Sequence, residues 1–219
     1  YIVVSIFIHQ GYQWFLINSY QVGDLTKVYP IARGSAPLIT TLISILILGL
    51  VLDILIIICI FTICFGIMLI SLFDDAQKNL KVIFYPLITG FFIASYSIVD
   101  GYGARVSESA LSFVSWSFLI NAAIFPLVLK LRGENNIFQR VYKNGKKIFF
   151  AGIFFSYASY ALVVWAFTKA PIPIVGALRE TSILFTMLIG YFFLKEKITA
   201  IKIFSILMIL SGVIALKLL

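Results

Sequence analysis

Residues 52–72 read LDILIIICIFTICFGIMLISL, an apolar stretch in which Asp53 is the only charged side chain. As a helix, this stretch is about 30 Å long, which matches the hydrocarbon core of a bilayer. It lacks the alternation of polar and apolar residues over about ten positions that marks a membrane β-strand. The stretch therefore predicts a transmembrane helix.

Similar apolar runs lie on both sides of this one, and the residues between them are polar or break helices. Asp100-Gly101-Tyr102-Gly103 is one such connection, where we expect a helix to end on glycines that adopt left-handed turns. The sequence thus predicts an all-α, polytopic helical membrane protein with eight helices in this chain. The predicted runs are Tyr1–Ser19, Leu25–Leu48, Leu52–Leu72, Val82–Val99, Ser109–Leu129, Ile148–Phe167, Ile172–Leu194 and Ile201–Leu218.

The composition of the chain favours lipid as its solvent. Of the 219 residues, 62% are hydrophobic and 12% are charged, and the mean hydropathy is +1.07. Soluble domains are about half apolar and a quarter charged. The net charge is +8, and the basic residues responsible for it lie between the apolar runs. We therefore expect these residues to face lipid headgroups and not nucleic acid. Both cysteines lie within one apolar run, so we expect no metal and no cofactor.

One connection, Lys130–Lys147, is long, with six basic residues and one acid. It is either a solvated basic loop or a short amphipathic helix at the headgroups. The positive-inside rule would place this side of the membrane in the cytoplasm, and the C-terminus outside.

An internal repeat relates two parts of the chain. A shift of 146 residues lays Leu25–Phe73 over Pro171–Leu219, so that Arg33 meets Arg179 and Gly66 meets Gly212. The pattern predicts that residues 1–73 are the last three helices of a first five-helix repeat and residues 74–219 a complete second one. The first two helices of the parent protein would then be missing here. An odd number of crossings per repeat inverts the second repeat relative to the first.

Three segments carry a resemblance to a known family. The segments are residues 24–37 (DLTKVYPIARGSAP), residues 177–182 (ALRETS) followed by 193–197 (FLKEK), and residues 99–105 (VDGYGAR). They resemble EamA-type members of the drug/metabolite transporter superfamily. The resemblance implies ten helices in two inverted repeats, and a cavity lined partly by the helices of Arg33 and Arg179. It also implies that both termini are in the cytoplasm, which conflicts with the charge count above, so the orientation stays open. The chain departs from the family at Gly49-Leu50, where members often have Gly-Glu.

The two arginines are the first candidates for substrate binding. Each lies about eight residues into its helix, or about 12 Å deep, so inverted repeats bring both near the midplane. They either form a fixed positive site for an anionic group, lock helices together through carbonyls or a carboxylate, or extend to an interface. Glu180 has no acidic equivalent in the first repeat. It either neutralises an arginine or titrates as the site of a coupling proton.

Neutral polar residues complete the candidate set. Tyr29, Ser35 and Thr181 lie beside the arginines, and Pro30 and Pro37 either break their helix to expose backbone dipoles or only kink it. Two polar-aromatic stripes either line a cavity or bond helices together. These stripes contain Gln10 and Trp14, with His9 and Gln13, on the first helix, and Ser156, Ser159 and Tyr160 on the sixth. Tyr157, beside the second stripe, is either a packing or interfacial anchor or a binding group. His9 has no companion ligand, and a protonation switch there is a weaker alternative.

These features predict a secondary-active transporter of small metabolites that works by alternating access. The paired arginines favour an anionic or zwitterionic solute, and we expect export in preference to uptake. A coupling proton or ion would supply the energy, because the chain has no nucleotide-binding motif. We expect the protein in the bacterial cytoplasmic (inner) membrane and leave a homodimer open. The alternative is a non-transporting scaffold or lipid flippase component. An enzyme is disfavoured because no catalytic cluster occurs.

Overall fold

The computed structural model describes residues 1–23, 25–72, 80–133, 139, 141–185, 192 and 199–219. These residues form helices and the turns between them, without a strand. The predicted all-α, polytopic membrane fold is therefore confirmed. The helices are α1 (Ile2–Val22), α2 (Leu25–Leu46), α3 (Ile54–Leu72), α4 (Lys81–Val106), α5 (Ala110–Leu131), α6 (Lys146–Phe167), α7 (Ile172–Arg179) and α8 (Ala200–Leu218).

Each predicted apolar run is helical over most of its described residues. The run Ile172–Leu194 contains α7 and a second helical segment at 182–185, while residues 186–191 and 193–194 lie outside the described residues. Among the described helices, α4, α5, α6 and α8 are both long enough and apolar enough to cross a membrane. Large apolar side chains such as Leu119, Phe154 and Phe155 are more than half exposed, as lipid-facing residues are.

The sequence prediction that α4 ends at Asp100-Gly101-Tyr102-Gly103 is wrong. The helix continues through these residues to Val106, and neither glycine has a positive φ. A close helix contact explains Gly103, because a Cβ there would lie 2.5 Å from the ring of Phe113 on α5. The glycine therefore serves helix packing and not a turn, and it leaves Asp100 inside a membrane helix.

The chain forms two compact units. The first contains Tyr1–Gln10 and Val99–Ala170, and the second contains Gly11–Ile98 and Pro171–Leu219. Helices α1 and α4 contribute residues to both units. The predicted repeats, 1–73 and 74–219, are related by sequence and not by compactness, so their boundary stays a prediction.

In the second unit, α3 and α8 pack through two glycines that make matching contacts. A Cβ on Gly66 would lie 3.1 Å from both the Ser205 carbonyl oxygen and Ile209 Cγ1. A Cβ on Gly212 would lie 3.1 Å from the Cys59 carbonyl oxygen and 2.7 Å from Ile63 Cγ1. As the chain advances along α3, the contact moves backwards along α8, so the two helices are antiparallel.

This interface is the apolar core of the second unit. Small residues let the two backbones approach closely, and branched side chains fill the space around them. The core also includes residues of α7 and of the turn that follows it. Its buried members are Cys59, Ile60, Ile63, Cys64, Ile67, Ala177, Ile183, Ile209 and Leu216.

The long basic connection is partly described. Helix α5 ends at Leu131, and Gly133 follows with a φ of 84°. Residues 134–138 and 140 lie outside the described residues, so the choice between loop and amphipathic helix stays open for this part of the connection. Val141–Gly145 form a π-helical turn that leads directly into α6.

Candidate functional site

Arg33 and Glu180 form a buried ion pair in the second unit. The Arg33 Nε atom lies 2.9 Å from Glu180 Oε2, and the two side chains are 13% and 3% exposed. Arg33 comes from α2, and Glu180 directly follows α7. The structure thus places Glu180 against an arginine, as the first of the two alternatives for this residue expects.

The pair is asymmetric with respect to the repeat. Glu180 corresponds to Gly34, and a Cβ on Gly34 would lie 3.0 Å from Met68 Cγ and 3.2 Å from Ile67 Cγ2 on α3. Contacts this short leave no room for a carboxylate at that position. The acid is therefore present in only one of the two matched segments.

The helix that carries Arg179 is interrupted directly after it. The N–H groups of Glu180, Thr181, Ile183 and Leu184 each donate to the carbonyl three residues earlier. This is the tighter 3₁₀ pattern, and it often marks a hinge or a functional segment when it interrupts an α-helix. The turn presents Glu180 towards α2 between α7 and the helical segment 182–185.

Of the two alternatives for the prolines of α2, the structure does not have the broken helix. Helix α2 runs from Leu25 to Leu46 with Pro30 and Pro37 inside it. Each proline removes only one backbone hydrogen bond, and the packing of α2 against neighbouring helices holds the remainder in place. The interruption lies instead in the matched segment that contains Glu180.

The other candidates in this unit lie around the ion pair in different ways. The Tyr29 ring centroid lies 5.8 Å from the Arg33 guanidinium carbon, within cation–π range. Ser35 is buried, donates its hydroxyl to the Ala32 carbonyl and packs against Gly90 of α4, so it belongs to a helix contact. Thr181 donates to the Leu178 carbonyl within the turn. Trp14 on α1 is 39% exposed.

The first unit contains a cluster of polar side chains that was not predicted from the sequence. Asp100 of α4 is fully buried, and its Oδ2 atom lies 3.0 Å from His9 Nε2 of α1. The same oxygen accepts a hydrogen bond of 2.5 Å from the Tyr160 hydroxyl of α6. Because Asp100 was assigned to a helix end, no partner was expected for it. The signal that could have placed it inside a helix is the apolar pattern, which continues through Asp100 to Ala104.

Two more candidates make hydrogen bonds between helices of this unit. The Gln10 amide nitrogen donates to Asn121 Oδ1 on α5 over 2.8 Å. The hydroxyls of Tyr157 and Ser115 lie 2.7 Å apart, which joins α6 to α5. Both contacts fit the interpretation in which polar stripes bond helices together.

Arg105 of α4 donates hydrogen bonds to backbone carbonyls at the C-terminus of α6. Its Nε donates to the Phe167 carbonyl over 2.9 Å, and its Nη2 donates to the Ala170 carbonyl over 3.0 Å. Carbonyls at the C-terminus of a helix lack partners within the helix and attract a cation. Arg105 therefore caps the C-terminus of α6.

Comparisons with known proteins indicate one family and one fold. The model of the EamA-like transporter family matches residues 80–218. A solved structure titled only "Crystal structure of protein" aligns with a TM-score of 0.69 at 15% identity, covering 98% of this chain and 76% of that one. At this identity the likeness concerns the fold alone. None of the curated proteins matches the chain.

Proposed function

The chain belongs to the EamA-like transporter family of small-solute membrane transporters, and from this premise we propose that Arg33 binds the carboxylate of an anionic or zwitterionic solute. The observation that carries the proposal is the buried Arg33–Glu180 ion pair. A charge at the centre of a membrane helix costs at least about 2.5–3.5 kcal/mol. A cation kept there needs a partner, and Glu180 supplies one when no solute is bound.

Arg33 has the hydrogen-bonding capacity for this role. A guanidinium has five N–H donors arranged in a fork that matches a carboxylate. The Nε atom faces Glu180, and the Nη2 atom lies 3.5 Å from the Ser182 hydroxyl, at the weak limit of a hydrogen bond. A solute carboxylate can therefore replace the Ser182 contact and compete with Glu180 for the cation.

The turn after Arg179 is the element that we propose to move. In transporters with inverted repeats, binding sites form where membrane helices are discontinuous, and access alternates as one repeat rocks against the other. Release of Glu180 from Arg33 would free the 3₁₀ turn from α2. We propose that this release couples solute binding to the change of access.

Inverted repeats, with residues 1–73 in the first and 74–219 in the second, are part of this proposal. They are supported by the antiparallel packing of α3 against α8. The matching contacts of Gly66 and Gly212 also support them, because reciprocal contacts are expected of two equivalent helices around a two-fold axis. We further propose export across a bacterial inner membrane, in accord with the family resemblance and the basic connections.

The proposal can be tested by solute flux in vesicles. The purified protein is reconstituted, and uptake is measured for labelled succinate as an anion, L-alanine as a zwitterion and choline as a cation. We expect flux of succinate or alanine and none of choline. Loss of a charge-assisted hydrogen bond is worth about 1.5–3 kcal/mol, so R33K, which cannot form the fork, should lower the flux about tenfold or more.

The matched control is R105K, the same chemical change at an arginine that caps a helix and takes no part in the proposed site. The double variant R33M/E180Q removes both charges of the pair without leaving one of them buried alone. It should fold and carry neither solute. Full flux in R33M/E180Q, or flux of choline alone, would remove Arg33 from the mechanism.

A further inference from the structure

We propose that His9, Asp100 and Tyr160 form the binding site for a proton that drives transport, an inference that rests on the proposed carrier function. The three side chains come from α1, α4 and α6 of the first unit. They meet at one carboxylate oxygen, Asp100 Oδ2, which lies 3.0 Å from His9 Nε2 and 2.5 Å from the Tyr160 hydroxyl.

The second carboxylate oxygen gives an independent reason to assign a ligand here. Asp100 is 0% exposed, and its Oδ1 atom has no hydrogen-bond partner among the described residues. A buried oxygen without a partner loses the hydrogen bonds that it had in water, at a cost of about 1–3 kcal/mol. A proton on this oxygen would remove the charge that makes the loss severe.

The chemistry of the three groups suits a proton that comes and goes. An imidazole and a carboxylate that share one proton are neutral as a pair. Removal of that proton leaves a net charge of −1 in the membrane, and addition of a second proton leaves +1. The hydroxyl of Tyr160 donates to the carboxylate in either case and adds no charge.

Glu180 is a second buried acid among the described residues, and its partner differs in kind. Glu180 pairs with Arg33, and an arginine stays protonated at all accessible pH values. Only the carboxyl group of that pair can take up a proton, and a proton there leaves the Arg33 charge buried and unpaired. In the His9–Asp100 pair, either partner can hold the proton.

Tyr157, Arg105 and Tyr96 are titratable or charged groups on the surrounding helices, and each has contacts of its own. Tyr157 on α6 bonds to Ser115, and Arg105 on α4 bonds to backbone carbonyls and lies 5.4 Å from the Tyr102 ring. Tyr96, one turn before Asp100 on α4, contacts the ring of Tyr12. The side chains that α5 places near Tyr160 and Gln10 are the neutral Phe118 and Asn121.

The proton would couple to transport through the net charge of the pair. The neutral pair can be enclosed between helices, while the charged pair needs water. Only the form with one shared proton would then pass through a closed state between the two open ones. A pH gradient would accordingly favour one direction of the cycle.

A spectroscopic experiment tests proton binding without any solute. Infrared difference spectra of the reconstituted protein are recorded between neutral and acidic pH, in the region where a protonated carboxylic acid absorbs. The other carboxyl groups of the chain contribute to the acid band in every variant, so spectra of variant and wild type are subtracted from each other. The wild type should show a component of the acid band that D100N lacks. The matched control, D53N, changes an aspartate that caps the start of α3 and should keep that component.

Two further variants keep the test decisive if D100N does not fold. H9Q and Y160F leave the carboxyl in place, and each should shift the pH at which the band appears. An unchanged band in D100N, or an unchanged midpoint in both H9Q and Y160F, would overturn the proposal.

A flux experiment separates this inference from the carrier proposal. Vesicles loaded with a pH-sensitive dye report proton movement when succinate or L-alanine is added. We expect D100N to exchange the labelled solute at equal pH on both sides while losing proton movement. Proton movement that persists in D100N, or accumulation driven by a sodium gradient alone, would refute the inference. Absence of solute exchange in the wild type would instead refute the proposed function, and the infrared result would still stand.

Discussion

The contact between α3 and α8 allows a quantitative test of the packing. Replacement of Gly66 or Gly212 by alanine adds a single methyl group at the point where the two backbones come closest. At Gly66, the added carbon would lie 3.1 Å from Ile209 Cγ1, Met208 Cβ and the Ser205 carbonyl oxygen. None of these atoms is the free end of a flexible chain, so the helices themselves must separate.

The expected destabilisation follows from these distances. Overpacking of this kind lowers the free energy of unfolding by about 1–3 kcal/mol. For a chain of this size, each 1 kcal/mol shifts the melting temperature by about 2–4 °C, so we expect a decrease of about 2–12 °C. G212A should have the larger effect, because its closest approach, to Ile63 Cγ1, is 2.7 Å.

The assay can use the two cysteines of the chain. Cys59 and Cys64 are both free and buried on α3, and the Cys59 carbonyl is part of the contact with Gly212. A maleimide dye that fluoresces on reaction with a thiol therefore reports the temperature at which this interface opens. The measurement needs no knowledge of the solute.

Gly152 provides the matched control. It lies inside α6, and a Cβ there would meet no atom within 4 Å. Alanine forms helix better than glycine by about 1 kcal/mol, so G152A should leave the melting temperature unchanged or raise it slightly. If G66A and G212A melt at the same temperature as G152A, the close approach of α3 and α8 is not as the structure has it.

Two further predictions concern single contacts, and both can be measured as thermal stability in detergent. R33M and E180Q alone should each lower the free energy of unfolding by about 3–5 kcal/mol, because each leaves one buried charge unpaired. The double variant R33M/E180Q should recover most of that loss. Additive losses would show that the two groups do not interact. S109A should lower the free energy of unfolding by about 1 kcal/mol, because the Ser109 hydroxyl accepts from the Ser112 N–H at the start of α5, over 3.3 Å. S211A, which removes an exposed hydroxyl that donates to the Met208 carbonyl within α8, serves for comparison, and equal stability of S109A and wild type would contradict the role of the cap.

The sequence by itself determined where the helices lie in the chain and that lipid surrounds them. Runs of about 20 apolar residues have no stable alternative to a helix in lipid, because each backbone group must find its partner within the segment. The runs therefore appear as helices with ends displaced by a few residues. The sequence also marked Arg33 and Glu180 as candidates, because charges are rare and costly inside such runs.

Local signals were less informative where tertiary contacts override them. Asp100-Gly101-Tyr102-Gly103 has the composition of a turn, yet packing of Gly103 against Phe113 keeps it helical. Pro30 and Pro37 left a broken helix open as one alternative, yet α2 is continuous. In both cases a neighbouring helix supplies contacts that outweigh a local preference of about 1–3 kcal/mol.

Only the tertiary structure decided which polar groups meet. His9 and Asp100 are 91 residues apart, and nothing in the periodicity of either helix identifies the other as its partner. Likewise, the repeat made Arg33 and Arg179 equivalent, while the structure placed Glu180 against Arg33. Periodicity tells which face of a helix is buried, but the neighbour of that face depends on how all the helices pack together.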